Sequence, residues 1–191
     1  MGAYLNQDNK NRRFEQLALP HLDAAYSLAR WLTRDDYAAE DVVQAAYVRA
    51  FRFFDHFRGD NPRAWILTIV RRTFYTSLRE RRHEHEHVDF DEALHSGMTE
   101  AGGDSGFAPG SHPESIAAGR DTQRLINEGL EKLPRIFREV VVLKDIEDLS
   151  YKEIAEVVEV PIGTVMSRLA RGRKLLGDYL QRYGIGGGNE L

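Results

Sequence analysis

Hydrophobic residues recur every three to four positions in the first part of the chain, in segments at roughly 11–32, 38–55 and 62–82. This spacing places the apolar side chains on one face of a helix, so each segment predicts an amphipathic helix. The third segment begins at Asn61-Pro62, an N-cap residue followed by a proline at a position where helices tolerate the missing N–H. We therefore predict a compact bundle of helices in this part of the chain.

The helical pattern stops after residue 82. Residues 83–115 contain many glycines, prolines and acids but few apolar residues. A segment of this composition cannot bury enough apolar surface to offset the entropy that it would lose on ordering. No strand pattern of period two and no internal repeat is present. The chain is thus expected to be all-α, with two small helical domains at 1–82 and 120–183. We expect a flexible acidic linker at 83–119 and a disordered glycine-rich tail at 184–191.

A helix-turn-helix signature begins at Leu149. Ser150 is a good N-cap, and Glu153 three residues later completes a capping box. A tight turn is predicted at Glu159-Val160, and Pro161 suits the first position of a new helix. Further helices lead into the motif, at 120–133 and 135–146.

The second helix of this motif, over residues 161–176, is predicted to turn Ile162, Val165 and Leu169 inward. Its outward residues are small or cationic: Thr164, Ser167, Arg168, Arg171, Arg173 and Lys174. A helix of this kind can read base edges in the major groove of DNA. A solvated helix face with a cationic end favoured by the helix dipole is the alternative. Gly172 lies inside this predicted helix, where glycine is unfavourable. It indicates either a close approach of another segment to the backbone or a position that simply tolerates glycine, and the sequence leaves both open.

The formal charge of −4 argues against a nucleic-acid-binding protein until it is divided along the chain. Residues 1–82 hold 14 Lys and Arg against 10 Asp and Glu, whereas residues 83–120 hold one Arg against eight acids. Basic residues concentrate at 71–82 and 168–174, so local patches decide the binding properties. The chain has no cysteine, which excludes disulfides, thiol nucleophiles and cysteine zinc sites. Every apolar run is short, so we expect a cytoplasmic protein without membrane insertion of its own.

Arginines and aromatic residues alternate around the third predicted helix, including Arg71, Arg72 and Tyr75. This composition suits single-stranded DNA, whose bases stack on aromatic rings while cations follow the phosphates. The loop at Gly59-Asp60-Asn61 offers donors and acceptors for the edge of a flipped base. Arg71 and Arg72 cannot both point inward, and Trp65 fits either core packing or the DNA surface.

His83, His85 and His87 would share a face if the chain were extended there, which is a geometry that metal sites use. Glutamates intervene and no further ligand lies nearby in sequence, so a solvated hinge is the favoured interpretation. The other carboxylates are dispersed, and no phosphate-cradling glycine loop is present. We therefore expect no enzyme activity, no metal and no cofactor.

Several of these segments resemble bacterial sigma factors of the extracytoplasmic-function (ECF) group of the sigma-70 family. The resemblance to region 4 lies at residues 130–134, 149–155 and 163–169. The resemblance to region 2.2 lies at residues 35–44 and 47–51, and that to the region 2.3–2.4 junction lies at residues 57–67. The likeness covers about four-fifths of the chain, with two motif sets in the expected order. Many members carry an acid after the glutamine, where this chain has Ala45, and Arg or Lys where it has Met166.

The resemblance implies two helical domains that bind core RNA polymerase, through its β′ clamp helices and β flap, and two promoter elements. Contact with core polymerase is expected at Glu40, Asp41, Gln44, Tyr47 and Arg49. The −10 element is expected to bind Arg58, Asp60, Asn61, Arg63, Arg71, Arg72 and Tyr75. The −35 element is expected to bind Thr164, Met166, Ser167, Arg168, Ala170, Arg171, Arg173 and Lys174. An anti-sigma factor is the expected regulatory partner.

Two other classes of protein remain as alternatives. A repressor or activator would use only the C-terminal helix-turn-helix, and it would leave the basic, aromatic third helix and the Asp41–Gln44 face unexplained. A protein–protein adaptor built of helix bundles would not depend on the cations at Arg168 and Arg171.

Overall fold

The computed structural model describes the backbone of residues 2–88 and 113–185, and the side chains of residues 8–81 and 121–185. The described residues are helical and contain no strand, which confirms the predicted all-α class. The N-terminal half consists of α1 (Gly2–Ala18), α2 (Leu22–Thr33), α3 (Asp36–Phe53) and α4 (Pro62–Val88). The C-terminal half consists of α5 (Pro113–Lys132), α6 (Arg135–Val141), α7 (Tyr151–Val158) and α8 (Ile162–Gln181).

The core of the N-terminal half lies between α2, α3 and α4. Leu28, Ile66 and Leu67 are fully buried there. Phe14 of α1 meets the ring of Phe54 edge to face, with the ring centroids 5.3 Å apart. The apolar residues of the predicted helical faces thus form one packed core, as their spacing indicated.

The single helix predicted over residues 11–32 is wrong. A 3-10 turn at Leu19–His21 separates α1 from α2 and carries Pro20. Proline lacks the N–H that a continuous helix needs and its ring clashes with the preceding turn, so the chain changes direction there. The predicted helix over 135–146 is also interrupted, because its last residues form a π-helical turn at Val142–Ile146.

The helices on either side of the predicted linker extend into it. Helix α4 continues to Val88 instead of ending at residue 82, and α5 begins at Pro113. The backbone at residues 83–87 is therefore helical, not extended as the metal interpretation of the histidines assumed. Residues 89–112 of the predicted linker and residues 186–191 of the predicted tail lie outside the described residues. The division at residues 82 and 120 stays a prediction.

The two halves pack against each other, with α4 lying on α7 and α2 on α6. This contact places the third helix of the sequence analysis beside the first helix of the helix-turn-helix. Within residues 2–88 and 113–185, none of the helices has the length and apolarity that crossing a membrane requires.

Candidate nucleic-acid and polymerase interface

The helix-turn-helix is built by the capping chemistry that the sequence indicated. The Ser150 side chain accepts a hydrogen bond from the Glu153 backbone N–H, and a Glu153 carboxylate oxygen accepts one from the Ser150 N–H at 2.7 Å. Hydrogen bonding of Ser150 to the Glu153 carboxylate holds the pKa of Glu153 below its ordinary value. Glu159 ends α7 in the left-handed conformation, with φ of 56°. Pro161 is the N-cap of α8, one residue before the helical position predicted for it.

Helix α8 turns one face to the core and the other to solvent. Val165 and Leu169 are buried, as predicted. Ile162 is 45% exposed, so its predicted inward position is wrong, because the first turn of α8 projects beyond the core. The exposed residues of the predicted −35 set are Met166, Ser167, Ala170, Arg171, Arg173 and Lys174, while Thr164 and Arg168 are half-buried.

Two cations of the predicted −35 set already face acids of the C-terminal half. Arg173 donates from Nε to Asp145 Oδ2 at 3.1 Å, and Asp145 belongs to the π-helical turn. Arg168 lies close enough to Glu139 of α6 for their charges to attract. Arg171 is the third arginine of the predicted −35 set, and it is exposed. Neither of the contacts just described involves it.

Gly172 shows a close backbone approach and so decides the question that the sequence left open. A Cβ at this position would lie 2.7 Å from Val141 Cγ2 and 3.3 Å from the Phe137 carbonyl oxygen of α6. Only a residue without a side chain allows α8 to pack this closely on α6.

Three of the five residues expected to contact core polymerase are exposed, and two are half-buried. Glu40, Asp41 and Gln44 are exposed on α3, as expected. Tyr47 and Arg49 are half-buried, and their contact with core polymerase stays a prediction. The Tyr47 hydroxyl donates to the Ala18 carbonyl oxygen at 3.0 Å, and Arg49 donates to Thr73 Oγ1 at 3.4 Å, which turns both toward the neighbouring helices. Burial raises the pKa of Tyr47 to about 12.

An apolar groove beside this face was missed by the sequence analysis. It lies between α2 and α3 and is lined mainly by Leu22, Tyr26, Val43 and Tyr47. Leu22 fits the apolar spacing of the first predicted helix but is 43% exposed. The break at Pro20 starts a new helix at Leu22 and so leaves this residue at the surface.

The predicted −10 residues lie on the loop before α4 and along the side of α4 that faces the C-terminal half; we call this set the −10 surface. Asn61 caps α4, since its Oδ1 accepts a hydrogen bond from the Ala64 N–H at 3.0 Å. Arg58 and Asp60 are exposed at a cleft that faces α7. Trp65 is half-buried, packs on the Phe57 ring with centroids 4.6 Å apart, and also lines this cleft. Its core packing is therefore present, while its contact with DNA stays a prediction.

Glutamates of the C-terminal half contact most of the −10 surface. Arg63 pairs with Glu147 at 2.8 Å, and Arg71 pairs with Glu139 at 2.6 Å. The further contacts join Arg72 with Glu159, Asn61 Nδ2 with a Glu153 oxygen, and the Tyr75 hydroxyl with Glu139 at 3.4 Å. We call these four glutamates the acidic face. The sequence analysis missed them, because partners 64 to 92 positions apart leave no local pattern.

Burial and pairing shift the pKa values at this contact in opposite directions. Burial raises the pKa of Glu139 above its ordinary value, although the adjacent Arg71 guanidinium opposes the shift. The pKa of Tyr75 is also raised, chiefly by burial. The hydrogen bond from Arg72 lowers the pKa of Glu159, which stays partly exposed. Arg138, buried beside Arg34 and Arg135, has its pKa lowered by burial to about 10.

Comparison with known proteins finds two family matches, in the order that the motifs indicated. Residues 17–84 match "Sigma-70 region 2" and residues 123–176 match "Sigma-70, region 4". The "ECF RNA polymerase sigma-E factor" of Escherichia coli is 30% identical over 179 residues, which are 92% of this chain and 90% of that protein. The "ECF RNA polymerase sigma factor SigE" of Mycolicibacterium smegmatis is 32% identical over 89% of this chain, which spans 62% of the length of that relative.

Solved structures agree with these relatives. The sigma factor RpoE from Bartonella quintana, in complex with the anti-sigma factor NepR, matches with a TM-score of 0.68 and 28% identity over 89% of this chain and 98% of that one. CnrH, in complex with the cytosolic domain of CnrY, matches with a TM-score of 0.60 and 26% identity over 90% of each chain.

Proposed function

This chain belongs to the ECF group of the sigma-70 family, and from that membership we propose that it acts as a promoter-specificity factor of RNA polymerase. It binds core polymerase, directs it to a −35 and a −10 element, and starts transcription of a specific regulon. The chain performs no chemistry of its own, because polymerase supplies the catalytic site. Two matched regions and a capped helix-turn-helix with an exposed second helix support this function.

The exposed side of α8 is the observation that carries the proposal. Met166, Ser167, Ala170 and Arg171 project from one side of a helix whose other side is fixed in the core by Val165 and Leu169. This face reads base edges of the −35 element in the major groove, with Arg171 as a donor to a base or phosphate. Met166 is 52% exposed and favours apolar contact, such as that with a thymine methyl group.

Core polymerase binds the exposed side of α3 in this proposal. Asp41 and Gln44 can form charge-assisted hydrogen bonds with a basic partner helix. Ala45 supplies no charge, so docking depends on Glu40 and Asp41 of α3 and on the groove lined by Leu22 and Tyr47. The described residues leave this face open to solvent.

In vitro transcription with core polymerase on a genomic library, followed by mapping of 5′ ends, tests the proposal. We expect discrete start sites that share a −35 and a −10 element and that require this protein. Start sites unchanged from those of core polymerase alone would refute it. Tight binding to duplex DNA without polymerase would support the repressor alternative, and full activity after neutralising Arg168 and Arg171 would support the adaptor alternative.

Regulation by an anti-sigma factor is the second part of the proposal. One solved relative was captured with the anti-sigma factor NepR, and another with the cytosolic domain of CnrY. An anti-sigma factor of this chain would form a one-to-one complex that covers the Glu40–Gln44 side of α3 and the exposed side of α8. Co-purification from unstressed native cells should recover it. Recovery of this protein only free or on polymerase would place control at the level of synthesis.

A further inference from the structure

We propose that Asp145 limits the affinity of α8 for duplex DNA by neutralising one of its cations. Arg173 lies on the face of α8 that the proposed function directs toward the −35 element, but it is paired with Asp145 of the π-helical turn. The pair carries no net charge, so it adds nothing to the attraction of α8 for phosphates. This inference rests on the proposed function, because that function brings α8 to duplex DNA.

Arg173 has the position of a phosphate-binding residue. It follows Met166 by seven residues and Ala170 by three, and these spacings place the three side chains on one side of an α-helix. All three residues are exposed there. At about 1.5 Å per residue, Arg173 lies about 10 Å from Met166 along the helix axis. The major groove is about 12 Å wide, so a long cationic side chain at this distance from a base-reading residue can reach the phosphates at its edge.

Asp145 holds the Arg173 guanidinium with both of its carboxylate oxygens. Arg173 Nε donates to Asp145 Oδ2 at 3.1 Å, and Arg173 Nη2 donates to Asp145 Oδ1. This two-point geometry fixes the guanidinium more firmly than a single contact, and it is also the geometry that arginine uses with phosphate. A phosphate at Arg173 therefore competes with Asp145 for the same two donors.

The π-helical turn brings Asp145 to this position. Its residues Val142 and Leu143 are buried, whereas Asp145 is exposed and reaches across to α8. The Glu147 N–H donates to the Val142 carbonyl oxygen at 3.0 Å, which is the bond of a turn wider than that of an α-helix. Such turns occur frequently at functional sites. The local backbone, and not a short sequence spacing, therefore determines which acid faces Arg173.

The pair is too exposed to act mainly on the stability of the fold. The side chains of Arg173 and Asp145 are 49% and 35% exposed. Ion pairs at such exposure contribute little to the free energy of unfolding, because water screens the charges and both side chains lose freedom. The carboxylate nevertheless lies within a Debye length of any phosphate that Arg173 could reach, since that length is about 10 Å at 0.1 M salt. The effect of Asp145 therefore falls on DNA binding.

Salt dependence distinguishes a neutral pair from a free cation. Each phosphate that a protein neutralises releases condensed counterions, which steepens the fall of log K with log salt by about 0.9. Lys174, which is also exposed on α8, can have this effect. Arg173 does not have it while Asp145 remains beside it, because the carboxylate repels the phosphate that the guanidinium would attract.

The consequence is weaker binding of the chain to DNA of every sequence. The electrostatic contribution of phosphate contacts does not depend on sequence, so its reduction applies to promoters and to all other DNA. Non-promoter sites are in vast excess in a genome and compete for the protein. A neutral pair on α8 reduces this competition and leaves the base contacts proposed for Met166 and Arg171 unchanged.

Three variants of the full-length chain test the inference. Asp145→Asn removes the negative charge with little change of shape and leaves Arg173 as a free cation. The matched control Asp178→Asn removes the same charge from another exposed position, on α8 itself. The double variant Asp145→Asn, Arg173→Gln removes both charges, so the site stays neutral as in wild type.

Binding of each protein to a random duplex is measured by fluorescence anisotropy between about 50 and 200 mM salt. We expect Asp145→Asn to bind about 3–10-fold more tightly than wild type at the low end, with a slope steeper by about 0.9. Over this range it should lose about threefold more affinity than wild type. The double variant and Asp178→Asn should keep the slope of wild type.

Two results would overturn the proposal. One is a slope of Asp145→Asn that equals the slope of Asp178→Asn. The other is a double variant whose slope is shallower than that of wild type by about 0.9, since Arg173 would then contact a phosphate despite Asp145. Loss of the helical far-UV spectrum in Asp145→Asn would leave the decision to the double variant, which contains no unpaired charge at this site.

The binding assay contains no polymerase, so it decides this inference separately from the proposed function. Transcription by a chain whose Asp145→Asn variant shows no steeper slope refutes only this inference. A steeper slope in a chain that supports no transcription refutes only the proposed function.

Discussion

Replacing Gly172 by alanine adds one methyl group at a close contact between α6 and α8. The new Cβ would lie 2.7 Å from Val141 Cγ2 and 3.3 Å from both the Phe137 Cβ and its carbonyl oxygen. Val141 is buried and β-branched, so it has little rotamer freedom, and the Phe137 oxygen belongs to the backbone. Overpacking of this kind costs about 1–3 kcal/mol. The higher helix propensity of alanine offsets about 1 kcal/mol of this cost.

Gly177 in the same helix provides the control. A Cβ there would meet no atom within 4 Å, so Gly177→Ala should gain the propensity term of about 1 kcal/mol without a clash. Urea unfolding of both variants, followed by far-UV circular dichroism, gives the difference between them. We expect Gly172→Ala to be less stable than Gly177→Ala by about 1–3 kcal/mol. Equal stabilisation by the two substitutions would refute the argument from close helix packing.

Three further predictions concern the surface residues. Arg171→Ala should weaken binding to a matched −35 duplex by about 1–3 kcal/mol, and equal losses on scrambled DNA would show that Arg171 contacts only phosphate. Joint replacement of Asp41 and Gln44 by alanine should weaken assembly with core polymerase in a competition pull-down without changing the far-UV spectrum, and unchanged competition would remove their assignment. Because Arg72 lowers the pKa of Glu159 below the ordinary 4.5, the stabilisation from this pair should be full above about pH 4.5 and lost as the pH falls through the lowered pKa. Wild type should therefore lose up to about 1 kcal/mol relative to Glu159→Gln on acidification, and a difference that does not change with pH would contradict the pairing.

Local chemistry in this chain was predictable from sequence. The Ser150–Glu153 capping box and the asparagine cap at Asn61 each depend on residues within one helical turn, and both are present. The break at Pro20 was missed because the apolar spacing continues through it. The π-helical turn after Val141 carries no sequence signal of its own, because its residues keep a helical pattern.

The side-chain contacts between the two halves were not predictable from the sequence. The sequence assigned Arg63 and Arg71 to the −10 element, and that assignment stays a prediction. It could not identify Glu147 and Glu139 as the anions that meet them, because these lie 84 and 68 positions away. Acids on a helix surface are also common, and nothing in α6 distinguishes Glu139 from a solvated residue until α4 is placed against it.

The polar contacts between the halves belong to side chains, and this determines how a separation of the halves can be observed. Among the described residues, every backbone hydrogen bond outside the helices joins positions within one half. A separation of the halves would therefore break no helical turn, and rigid-body domain motions of this kind take on the order of microseconds to milliseconds. Amide hydrogen exchange reports mainly on broken backbone hydrogen bonds, so it would change little when the halves separate. Relaxation dispersion of side chains such as Tyr75, whose hydroxyl would exchange Glu139 for water, would detect such a separation.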